Sequence, residues 1–115
     1  DGRTALDRIL ADSHFLILPT RADCAPHVLI EANSFGVPCL TTNVGGIKTI
    51  VKDDVNGKVV ELDTDISEYC TYVTHLFEHY ERYKALANSS FYEYEIRLNW
   101  NVAAKEAKKL IMDLI

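Results

Sequence analysis

No stretch of this 115-residue sequence approaches the run of roughly 20 apolar residues that spans a bilayer. It does not open on a basic segment followed by an apolar one, which argues against a secretory leader. Basic residues are the minority. Twelve lysines and arginines against 17 acidic residues leave a net charge of −5, which argues against a general partner for nucleic acid or anionic membrane, since either needs a basic patch. A small anionic ligand held by a few local groups is still compatible with that charge. Cysteine is sparse and odd in number: Cys24, Cys39 and Cys70 form no C-x-x-C pair and read as free thiols of a reducing, cytoplasmic compartment. Cys24 has two readings, a reactive thiol in its loop and, the better one, a small neutral turn residue. Repeats and low-complexity linkers are missing too. So is an initiating Met, which leads to the expectation that residues 1–115 are a fragment of a longer protein.

What is present is ordinary for one globular domain: 48% hydrophobic and 25% charged residues. The periodicity alternates. Leu6, Ile9 and Leu10 share one helical face. His14 to Leu18 reads as a short buried strand stopped by Pro19. "HVLIEANSF" reads as a helix with Pro26 in its first turn and Gly36 after its end. "VPCLTT" is a second strand, "NVGG" a loop, "IKTIV" a helical turn and "DDVNG" a tight turn. "KVVEL" makes a third strand after the Asn-Gly.

The second half is helical. Asp63 or Thr64 is the expected cap of a helix whose apolar stripe runs through Ile66, Tyr69, Cys70, Val73, Leu76, Phe77 and Tyr80. A further helix is expected over residues 82–91. Asn99 reads as the cap of a last one, with Trp100, Ala103, Ala107, Leu110, Ile111 and Leu114 on its inner face. Strands alternating with helices predict an α/β fold with a parallel sheet. Three strands are half the number of a common doubly wound sheet, so an open strand edge is expected, covered by a tail or by a partner such as an edge-paired dimer mate.

The segment "RADCAPHVLIEANSFGVPCLTTNVGG" places Asp23 in a turn and Glu31 eight positions later. On one continuous helix that interval is about 12 Å, wider than the roughly 5 to 9.5 Å of a glycosidase pair, and Pro26 argues against such a helix. A better arrangement puts Asp23 in the loop after the first strand and Glu31 one to two turns into the helix. The first-turn amides of His27, Val28 and Leu29 then lie between the acids, at the positive end of the helix dipole, and suit a phosphate. An acid beside them can accept hydrogen bonds from sugar hydroxyls, so the unit suits a nucleotide-sugar at the carboxyl end of the strands. On bland readings Glu31 is a solvent-facing helix residue, Asp23 a turn former and Gly45-Gly46 a tight turn. His75-x-x-Glu78-His79 has the form of a zinc motif, but both histidines fall off the stripe and read as a solvated face. Arg21 and Lys48 are the nearest basic residues for a phosphate.

The same residues carry a resemblance. Ala11-Asp12, Leu18-Pro19-Thr20, Glu31-Ala32, Gly36-Val37-Pro38, Thr42, Gly45-Gly46, "DDVNGKVVE" and Asn99-Trp100 fall in the order of a family pattern. The sequence resembles the C-terminal donor-binding domain of the two-domain GT-B glycosyltransferases, in particular the retaining group with a Glu-x7-Glu motif (family 4-like, or group 1). The resemblance implies a partial Rossmann-like, three-layer unit and retaining transfer of a sugar from a nucleotide-sugar donor, without a metal or other cofactor. It implies that Glu31 holds the ribose and that Asp23, the catalytic candidate, lies near the transferred sugar. Ala25, Pro26, His27 and Val28 would meet the sugar and diphosphate, and Gly45 and Gly46 would line the same mouth. An upstream half-domain and an N-terminal acceptor domain would be needed as partners, so the fragment alone is expected to be inactive. Three positions depart from the pattern. Asp23 is one methylene shorter than Glu, Pro26 stands where Gly is common, and Thr49 replaces a Glu after the Gly-Gly loop. Two other readings compete: a non-catalytic interaction module or degenerate transferase half, and a related GT-B nucleotide-sugar enzyme such as an epimerase.

Overall fold

The computed structural model describes residues 2–19 and 26–114. Three parallel strands, β1 (Leu16–Leu18), β2 (Cys39–Thr42) and β3 (Gly57–Val60), lie in the order β1-β2-β3. Helices α1 (Gly2–Ala11), α2 (Pro26–Ser34) and the single turn α3 (Ile47–Ile50) alternate with them. This is the expected α/β unit. The strands are shorter than the apolar runs suggested: Phe15, Val37 and Pro38 lie just outside them, although Pro38 O still accepts from Leu16 N at 3.0 Å.

The pleat sends alternate side chains to opposite faces. Leu16, Leu18, Cys39 and Val59 pack with Leu10, Leu29, Ala32, Ile47 and Val51 in one core under α1, α2 and α3. Of the predicted α1 face, Leu10 is buried whereas Ile9 is exposed. On the other side of the sheet Leu40 and Val60 border one hollow with Tyr69 and Tyr72 of α4 (Ile66–Glu78). Leu76 of α4 packs with Tyr83 and Leu86 of α5 (Tyr80–Glu93), and Phe15 closes that smaller core.

Two glycines are required by the backbone. Gly36, at φ 71, ends α2 in a Schellman motif: its N–H donates to Asn33 O at 2.9 Å and Val37 N–H donates to Ala32 O at 3.0 Å. Gly57 stands where a Cβ would lie 1.9 Å from Cys39 O, so only glycine lets β3 approach β2.

The helical half departs from the sequence pattern in detail. The cap of α4 is Asp65, which accepts from Ser67 N, rather than Asp63 or Thr64. Of the predicted stripe, Tyr69 and Leu76 are buried, while Ile66, Cys70, Phe77 and Tyr80 are exposed. The chain bends at His79 (φ −122, ψ 68), so α5 begins at Tyr80, ahead of the expected start at residue 82. It then runs into a π-helical turn, Tyr94–Leu98, that the sequence did not announce. Asn99 caps α6 (Trp100–Asp113) as expected, accepting from Val102 N at 2.9 Å. Its expected inner face has no cover: Leu110, Ile111 and Leu114 are all exposed. The side chain of Trp100 lies outside the described set.

Candidate functional site

Because the strands are parallel, the loops after β1 and after β2 leave from the same end of the sheet. Helix α2 starts after β1, and Gly45-Gly46 precede α3 after β2. Asp23 and Ala25, with Arg21 and Cys24, lie outside the described residues. Pro26 opens α2, where a missing N–H removes nothing that the helix would have used.

His27, Ile30, Glu31 and Ser34 recur at helical spacing and form one side of α2. They border a cavity of about 320 Å3 whose opposite wall is the π turn, through Tyr94, Arg97 and Leu98, with Asn99 and Ala103 beyond it. Glu31 is half-buried and its Oε2 is shielded from solvent. The buried side of α2 is formed instead by Leu29, Ala32 and Asn33. The bland reading of Glu31 as a freely solvated helix residue therefore does not describe its position. Val28 is half-buried and does not border this cavity. Gly45 and Gly46 are exposed at the same end of the sheet and also lie outside its lining. Lys48 is exposed and borders a different, smaller hollow with Val51, Lys52 and Asp53.

The far wall was missed by sequence reasoning. Arg97 lies in a stretch that continues α5 in composition, and nothing marks a π turn in the residue types. One signal was available. Glu93 and Arg97 stand four apart, the spacing of a helical ion pair. In the structure Arg97 Nη2 is 3.2 Å from Glu93 Oε1, and Glu93 is buried. Asn99 steadies the same turn: its Nδ2 donates to Tyr94 O at 2.9 Å and to Glu95 O at 2.8 Å.

The zinc-like motif does not make a metal site. His75 is on α4, but His79 is the bend between α4 and α5, and both are exposed. Arg82 Nη1 lies 3.2 Å from His75 Nε2, and since a guanidinium only donates, it occupies the lone pair a metal would need. Among the described residues no group of three or more His, Cys, Asp or Glu is placed to hold a metal ion. No helix among them is long and apolar enough to cross a membrane.

A parallel α/β unit with a helix start at the carboxyl end of its first strand belongs to the Rossmann-like class of ligand-binding domains. Comparison with known proteins makes this more specific: residues 1–91 match the family model "Glycosyl transferases group 1", and the chain belongs to that family. Over 67 residues it is 33% identical to the Escherichia coli protein "UDP-Gal:alpha-D-GlcNAc-diphosphoundecaprenol alpha-1,3-galactosyltransferase". The aligned part is 58% of this chain and 17% of that relative.

Proposed function

We propose that this chain supplies part of the donor site of a longer retaining glycosyltransferase, one that moves a sugar from a nucleotide-sugar to an acceptor. The observation that carries the reading is the placement of Glu31 and His27 on one side of α2, bordering a cavity of about 320 Å3 faced by the π turn, in a chain of the group 1 family. Glu31 accepts hydrogen bonds from the ribose hydroxyls. The first-turn amides of His27 and Val28, with the backbone of Ala25 and Pro26 before them, face the diphosphate. Negative charge grows on that diphosphate as the glycosidic bond breaks, and fixed amide dipoles stabilise the leaving group more than the bound donor. Asp23 lies beside the transferred sugar, and Gly45-Gly46 let backbone come close to it. No metal or other cofactor takes part, and nucleic acid is not a partner. The remaining phosphate contacts and the acceptor site come from an upstream half-domain and an N-terminal domain. The isolated 115 residues transfer no sugar.

UDP-galactose is the first donor to try, because the name of the Escherichia coli relative specifies it. In the longer parent, Glu31→Ala abolishes donor binding measured by calorimetry, at unchanged melting temperature. Unchanged binding and turnover in that variant would mean that the chain is a non-catalytic module.

A further inference from the structure

The side chain that ties the candidate site together is one to which no role has been assigned. Arg97 reaches from the π turn to the end of α3. Its Nη1 donates to Thr49 O at 2.5 Å and its Nη2 to Ile50 O at 3.0 Å, while Nε donates to Glu93 Oε1 at 3.2 Å. With the Nη2–Glu93 contact, four of the five N–H directions of the guanidinium are accounted for. The planar fork therefore has no free pair of parallel donors with which to grip a phosphate, although its side chain borders the cavity beside Glu31.

The two carbonyls it binds matter for geometry. Helix α3 has four residues and buries only Ile47, too little to hold a helical turn by itself. Its last carbonyls are unsatisfied acceptors at the negative end of the turn, the place where a cation is favoured. Asn56 Nδ2 donates to Ile50 O from the core side at 2.7 Å, and Arg97 holds the outer side. Since α3 starts directly after Gly46, its position sets where the glycine loop stands. The same guanidinium, braced by the buried Glu93, fixes the π turn that faces His27 and Glu31.

We infer that Arg97 is a positioning residue for donor binding: a strut that holds the glycine loop and the far wall of the Glu31 cavity at fixed separation from α2. This rests on the donor-site reading above. It predicts that affinity for the donor falls when the strut is cut, although Arg97 itself does not touch the ligand.

The test uses the longer parent protein and whichever of UDP, GDP or ADP binds it, with affinity measured by titration calorimetry and folding by thermal melting. Arg97→Met weakens binding by about tenfold per folded molecule, within the range by which residues that do not touch a ligand modulate its site. Arg97→Lys, which keeps the charge and one directed donor, recovers part of that loss, and Glu93→Gln lies between. If Arg97→Met fails to fold, the Lys and Gln variants decide the matter. Lower melting temperature with unchanged affinity in the folded variants makes Arg97 a purely structural residue and overturns the inference while the donor site stands. Unchanged affinity in Glu31→Ala, or binding of none of the three nucleotides by the parent, overturns the donor-site reading and this inference with it.

Discussion

Asn33 and Asn56 join two segments that the sequence keeps 23 positions apart. Asn56 Nδ2 donates to Asn33 Oδ1 at 2.8 Å and to Ile50 O at 2.7 Å, and Asn56 Oδ1 accepts from Lys52 N at 2.7 Å. Asn33 Nδ2 in turn donates to Val37 O at 3.0 Å. Both side chains are buried, so losing Asn56 takes the donor from Asn33 Oδ1 in a region water does not reach, although Ile50 O keeps Arg97. Asn56→Ala should therefore lower unfolding free energy by about 2–4 kcal/mol in denaturant titration; a loss under about 1 kcal/mol would show that the network is dispensable. Read along the chain, Asn33 is a helix residue and Asn56 a turn residue, and pairing across a fold leaves no mark in local pattern. Glu31 drew notice for the opposite reason: its interval from Asp23 and the Pro26 between them are local. Cys39 gives a second test at this scale. Burial raises its thiol pKa from 9.0 to about 12, and Sγ donates to Leu29 O at 3.6 Å, a bond only the protonated form makes. A group whose pKa is raised on folding contributes its full stability below the unfolded value and loses it as pH climbs toward the folded one. Stability should thus fall between pH 9 and about 12. Burial also raises Tyr69, Tyr72 and Tyr83, which adds to the fall. Cys39→Ala removes one share of it, and an unchanged pH slope in that variant would assign the whole effect to the tyrosines.

Elements repeat the contrast between local and distant causes. Helix α2 was readable from both ends, because Pro26 suits its first turn and Gly36 its left-handed exit. Helix α4 was readable in existence and not in extent. Its pattern of threes and fours runs unbroken through Tyr80, yet the backbone turns at His79 because α5 must fold back to bring Tyr83 and Leu86 onto Leu76. The stripe is also wider than what covers it: a three-stranded sheet offers α4 little surface, so Tyr69 and Leu76 are buried while Ile66 and Phe77 face solvent. The cap separates two candidates cleanly. Asp65 accepts from Ser67 N at 3.0 Å, and Asp63 is an exposed residue before it. Asp65→Ala should cost ~1 kcal/mol in chemical denaturation, against ~0.5 kcal/mol or less for Asp63→Ala; equal costs would return the cap to the position first read. The π turn had no readable cause. Its carbonyls are satisfied by Asn99 from one side, and its Arg97 is anchored by Thr49 and Ile50 from another element. Such a turn is set by tertiary partners, so the wall of the cavity facing Glu31 could not be inferred from residue types.

The whole molecule measures 52 × 31 × 29 Å, long for its size because α6 extends from the π turn with its large apolar side chains open. Leu110 is 66% exposed, Ile111 59% and Leu114 87%. On the sheet, among the described residues, β1 pairs with β2 alone, and Ile17 is 45% exposed on it. A protein of this composition should not leave both an apolar helix side and an unpaired parallel edge in water, because parallel strands are stable only when covered. The two surfaces lie on different elements, so their effects can be separated. The isolated 115-residue chain should self-associate with rising concentration in analytical ultracentrifugation and enhance the fluorescence of an apolar dye. Leu110→Lys with Ile111→Lys removes the dye signal if α6 supplies the surface; Ile17→Lys removes the association if the β1 edge does, since a charge on an edge strand blocks further pairing. In the longer parent neither surface should bind dye, because the proposed upstream half-domain pairs with β1 and the rest of the protein covers α6. A parent that binds dye as strongly as the 115 residues would show that both surfaces stay open there, and would remove the structural reason for treating this chain as part of a larger donor domain.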